Sequence, residues 1–170
     1  RDDGGYDTKD GPSNDRGAFG SPNWLEFDPK YPHVVYVAAD RGAGDENEGN
    51  GNMRILDLKN QYVGTALTEG DMGGTNRGRA LAFFDENHMA VAVDQGDELR
   101  AAVYGFTRNR EAPEGDERNY KMWGNRLALV NFKACNTVTF HPVDGDMYFN
   151  SWDKGQFFKV EKQQIQEIFD

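Results

Sequence analysis

The chain has 170 residues, of which 37% are hydrophobic and 28% charged, enough for one globular domain with its own core. A net charge of −10 and a sequence pI near 4.7 exclude nucleic acid as an expected partner, because gripping phosphates depends on Lys and Arg neutralising them. No run approaches the roughly 20 apolar residues of a membrane span.

Residues 1–20 are rich in Gly, Asp, Ser and Pro, lack periodicity and read as loop. The start, Arg1-Asp-Asp-Gly-Gly5, shows no signal peptide and no methionine, so the chain is expected to be an internal piece of a longer protein. From there, short apolar runs alternate with turns. Strands are predicted over 22–27, 33–39, 52–58 and 62–68, the last two forming a hairpin around Lys59-Asn60. A second group follows at 78–84, 88–94, 99–107 and 126–132, its last strand delayed by the charged stretch Arg108–Arg118. A third group covers 135–140, 146–151, 156–161 and 165–169. The final run is made of good helix formers, yet its place in the pattern makes it a strand.

The three groups repeat one phrase. Trp24-Leu-Glu-Phe-Asp-Pro29, Leu81-Ala-Phe-Phe-Asp85 and Thr137-Val-Thr-Phe-His-Pro142 each close an apolar run with Phe, and Phe27, Phe84 and Phe140 recur at steps of about 57 and 56 residues. Four-stranded antiparallel units in series are the blades of a β-propeller. The fold class is therefore all-β: three four-stranded blades over 17–72, 73–132 and 133–170, in one domain of 1–170. Three blades do not close a ring, so the chain is expected to be part of a six-bladed propeller, completed by further blades or by a second copy.

Residues 17–29 together with Tyr36-Val-Ala-Ala-Asp40 and Met53-Arg-Ile-Leu-Asp-Leu58 resemble an NHL-type propeller repeat. Asp10-Gly11 and Gly17-Ala-Phe19 are similar to the run-in of NHL propellers attached to surface proteins of gut Bacteroidetes. The match is good over 10–67 and fair over 134–170. The middle unit departs from it, having Asp85-Glu86 where the outer units have Asp-Pro or His-Pro. The resemblance implies an extracellular or cell-surface location, with ligands gathered on loops joining strand two to three and strand four to the next blade.

Chemistry is sparse. The strand-two ends align as Asp40, Asp94 and Trp152. An Asp at that position caps the turn, whereas Trp152 beside Asp153 could stack on a sugar ring or grip a partner side chain, or fold back over its blade. Trp123 and Tyr120, at the end of the charged stretch, form a similar pair, either anchoring the loop or touching a ligand. Trp24 reads as packing between blades. Asp45, Asn47 and Glu48 on a Gly-rich loop offer oxygens to calcium, although the EF-hand order is broken; the plainer reading is a solvated loop with no cofactor. His33, His88 and His141 fall near the turns between first and second strands, and only His141 ends an inner strand. The lone Cys135 reads as a buried thiol rather than a nucleophile.

No nucleophile motif, phosphate loop or HExxH helix is present. The leading expectation is a non-enzymatic binding or scaffold module of a secreted protein, contacting a glycan or protein through Trp152, Trp123, Tyr120 and Asp153. The alternative is half of a propeller lyase or hydrolase with a channel metal held by His141 and carboxylates.

Overall fold

The computed structural model describes residues 11–12, 22–39, 53–68, 70–73, 77–94, 101–111, 121–131, 135–151 and 155–170. The strands are β1 (Gly11–Pro12), β2 (Pro22–Phe27), β3 (Val34–Ala39), β4 (Met53–Asp57), β5 (Tyr62–Leu67), β6 (Arg77–Phe83), β7 (His88–Asp94), β8 (Ala101–Arg108), β9 (Trp123–Asn131), β10 (Cys135–Phe140), β11 (Met147–Ser151) and β12 (Gln156–Val160), followed by helix α1 (Lys162–Phe169). They form three antiparallel sheets in the order β1-β5-β4-β3-β2, β6-β7-β8-β9 and β10-β11-β12. Each sheet is a meander, and its first long strand lies against that of the neighbouring sheet. β1, within the stretch read as loop, adds a two-residue outer strand on β5.

The strand period of two explains how three sheets stack. In β7, Met89, Val91 and Val93 point into the core shared with the first sheet, while Ala90 and Ala92 point into the core shared with the third. The middle sheet is thus buried on both faces. Its neighbour on one side supplies Val34, Tyr36, Ala38 and Ile55, and on the other Val138, Met147 and Phe149. Trp24 packs against both clusters, in keeping with its expected inter-blade role.

Three expectations are corrected. The run 165–169 is helix, not strand, and the third sheet has three described strands. Ile165 is fully buried and Phe169 half-buried one turn on, so this segment buries its apolar pair on one helical stripe. The Glu161 backbone N–H, just before the first turn, donates to Gln164 Oε1 at 3.2 Å, half of a capping box.

The middle phenylalanine of the repeat is Phe83, not Phe84. Phe27 pairs with Val35, Phe83 with Met89 and Phe140 with Met147. The connection after β6 has four residues where those after β2 and β10 have six, and a one-residue slip moves a side chain to the other face. Phe84 consequently packs edge-on against Phe140, with ring centroids 5.3 Å apart, in the second core. Finally, Trp123 opens β9 instead of standing at the end of a loop.

Candidate functional site

Connections in a meander alternate between its two ends, so the loops fall on two rims. One rim holds the β2–β3, β4–β5, β6–β7, β8–β9 and β10–β11 connections and the start of α1. The opposite rim holds the β3–β4, β5–β6, β7–β8, β9–β10 and β11–β12 connections.

The first rim is built on capped turns. Asp28 Oδ1 accepts the Lys30 and Tyr31 N–H groups at 2.8 and 3.0 Å, and Asp85 Oδ1 accepts those of Asn87 and His88 at 2.7 and 2.8 Å. These are the Asx turns that short acidic side chains form readily. They account for the Phe-Asp phrase in the sequence. His141 holds the third turn, with Nδ1 3.0 Å from Asp144 Oδ2.

Arg108, at the end of β8, crosses from the second sheet to the first. Its Nη2 donates to both carboxylate oxygens of Asp28 at 2.9 Å, and both side chains are almost wholly buried. Its guanidinium lies 4.4 Å from the Trp123 ring centroid and 5.3 Å from that of Tyr31. The Trp123 indole N–H donates to the Tyr36 hydroxyl at 2.8 Å, which in turn donates to Asp28 Oδ2 at 3.3 Å. Burial, then the adjacent Asp28 carboxylate, pushes the Tyr36 phenol far above its ordinary range, so it stays neutral and able to donate. Outside this group, Lys30 Nζ reaches Glu111 Oε1 at 2.9 Å. Sequence reading took Arg108 for the first charge of a solvated stretch, because nothing local marks a partner 80 residues away.

Of the expected ligand contacts, Trp123 alone falls among the described residues. Trp123 is 6% exposed, and its indole is enclosed by Tyr36, Phe83 and Arg108. It anchors the two sheets together, and a ligand approaching from solvent does not reach its ring. Tyr120 lies outside the described residues. Trp152 and Asp153 also lie outside the described residues. Their flanks, Ser151 and Gly155, are on the opposite rim, where the β3–β4 connection bearing Asp45, Asn47 and Glu48 also begins and ends. Those three residues are outside the described set too.

Among the described residues no group of three or more His, Cys, Asp or Glu side chains could hold a metal ion. His33, His88 and His141 sit at separate turns. His88 is engaged by Asp85, with Nδ1 3.0 Å from each carboxylate oxygen, and by Phe169, with ring centroids 4.4 Å apart. Cys135 is buried and donates to the Thr137 carbonyl at 3.1 Å, and burial pushes its thiol up to about 11. Such a thiol carries almost no thiolate at neutral pH. No described helix is long and apolar enough to cross a membrane.

No family model matches the chain, and no curated protein matches it significantly. Solved structures do. An auxiliary nutrient binding protein from Bacteroides thetaiotaomicron matches at 30% identity and TM-score 0.68, over 93% of this chain and 32% of its own. A protein of the same organism named "Putative phosphatase" matches at 25% identity and TM-score 0.72, over 99% of this chain and 35% of its own. An auxiliary nutrient binding protein from Bacteroides ovatus matches at 24% identity and TM-score 0.67, over 93% of this chain and 32% of its own, a likeness of fold. The chain therefore spans about a third of the length of each.

Proposed function

We propose that the chain is a non-enzymatic binding or scaffold module of a secreted or surface-attached protein, part of a six-bladed NHL-like propeller. The observation that carries this reading is its 30% identity, over 93% of its length, to an auxiliary nutrient binding protein. The packing is consistent with such a role. Sheets latched by the Asp28–Arg108 pair and by two shared cores make a stiff frame, and binding residues concentrate on loops held by such frames. The ligand is a glycan or a protein, contacted at the rim of the strand-two to strand-three connections through Trp152 and Asp153. Tyr120 makes a second contact with the ligand. Asp45, Asn47 and Glu48 on the Gly-rich connection would supply oxygen ligands to a calcium ion.

The test is retention on immobilised polysaccharides, with isothermal titration of any that retain the protein. Trp152→Ala is expected to weaken binding about tenfold or more, the loss of one aromatic stacking contact with its buried area. Asp153→Ala weakens it less, and adding a chelator leaves it unchanged unless calcium orders the rim. A Trp152→Ala variant that binds like wild type removes this rim from the reading. The neighbour named as a phosphatase favours a second reading, a hydrolase whose remaining site residues lie outside this chain. Turnover of p-nitrophenyl phosphate that falls with His141→Ala would favour it.

A further inference from the structure

The first sheet turns one face to the second sheet, and among the described residues no sheet covers its other face, although Val35 and Val37 at its centre are each only 7% exposed. Leu25 and Phe27 on that face are 61% and 54% exposed. Leu25, Val35, Val37 and Leu56, with Pro22, Asn23 and Trp24 at the rim, frame an apolar groove of about 570 Å³.

Strand pairing shows what this face is. Leu25 stands opposite Val37, Leu81 opposite Val91, and Val138 opposite Phe149. Phe27, Phe83 and Phe140 stand opposite Val35, Met89 and Met147, as noted above. One strand further out, Leu56 lies beside Val35, Phe106 beside Met89 and Val160 beside Met147. These are the same five positions in each sheet. In the second sheet all five pack in the core shared with the first sheet, and in the third all five pack in the core shared with the second. In the first sheet all five are apolar, and among the described residues no further sheet lies against them.

We infer that this face is an inter-sheet joint built for a further sheet of the same repeat, supplied by the same polypeptide outside these 170 residues. The two joints already present use the same register, so this face continues an established interface. The solved structures it resembles are about three times as long, which leaves room for more sheets. A second copy of this chain fits less well. The face it would offer is the outer side of the third sheet, with Thr139, Tyr148, Asn150, Phe157 and Lys159. In the existing joints that side is Val34, Tyr36 and Ala38, or Ala80, Ala90 and Ala92. Each copy would also bring a net charge of −10 to the contact.

The experiment compares thiol labelling of Leu25→Cys by N-ethylmaleimide in the 170-residue chain and in the complete polypeptide encoded by its gene. Val143→Cys, at a turn residue 88% exposed, serves as the open reference. Buried Cys135 reports that each variant is folded, and Phe27→Cys replaces Leu25→Cys if that variant exposes Cys135. The expected result is rapid labelling of Leu25→Cys in the 170-residue chain and at least tenfold protection in the complete polypeptide, with Val143→Cys fast in both. Equal labelling in the two contexts overturns the inference, as does a gene that encodes no further repeat. Protection that appears in the 170-residue chain on concentration, with dimers in sedimentation, assigns the face to a second copy and also overturns it.

Discussion

At the scale of the residue, the pair Asp28 and Arg108 is the most consequential polar contact. A buried ion pair adds little over apolar packing, but losing one partner strands the other charge without water. Arg108→Met is expected to lower unfolding free energy by about 3 kcal/mol, because Asp28 keeps its buried carboxylate and loses the guanidinium paired with it. The double variant Asp28→Asn/Arg108→Met should recover part of that loss, and urea unfolding of the three proteins measures it. A cost for Arg108→Met below about 1 kcal/mol would mean that the latch does not hold the sheets. Cys135 gives a second prediction. Its thiol is raised to about 11 from an ordinary 9.0, so the folded protein holds a proton that the unfolded chain releases. Stability from this group is complete below about pH 9 and falls as pH rises towards 11. Tyr36, raised by burial and Asp28, acts in the same direction. Labelling of Cys135 at pH 8 should be at least a hundredfold slower in the folded than in the unfolded protein, since the thiolate is the reacting form. Asp28 was visible in the sequence as part of the Phe-Asp phrase, but the sequence reading placed turn caps at Asp40 and Asp94, not at Asp28 and Asp85 where the structure shows them. The pairing of Asp28 with Arg108 was not visible, because that contact joins positions 80 apart.

Among elements, α1 is the departure from the repeat. It leaves the outer edge of its own sheet and lays Phe169 over the middle one. A Cβ added at Gly105 in β8 would meet Phe169 Cε1 at 2.7 Å and Leu129 Cδ2 at 3.0 Å, so Gly105 is small because a ring from α1 covers it. Gly105→Ala should cost about 1–3 kcal/mol by overpacking, and Gly105→Ala/Phe169→Leu less, since the flexible side chain can yield. Thermal unfolding of the two variants checks this; equal losses would show that the helix does not press on the strand. Eleven of the twelve predicted strands are present with small shifts at their ends. They were legible because two-residue alternation and turn residues are local signals. The twelfth was misassigned because repeat register outweighed helix propensity, and only Ile165 meeting the second core decides between them.

For the whole molecule, each core belongs to two sheets, and the middle sheet belongs to both. Removing a large side chain from either core should therefore weaken the entire stack. Leu81→Ala in the first core and Met147→Ala in the second are each expected to cost about 2–5 kcal/mol. Both should shift one shared transition, seen alike by far-UV circular dichroism and tryptophan fluorescence. Separate transitions for the two variants would mean that the sheets fold independently.

By itself the sequence determined that the chain is all-β and that its strands come in three repeating groups. Each of these follows from alternation, spacing or residue type within a few neighbours. Tertiary structure alone decided which phenylalanines are equivalent and that Trp123 is a core anchor and not a surface contact. Those facts depend on which face each strand turns to its neighbour, and a shift of one residue, invisible in composition, reverses that face.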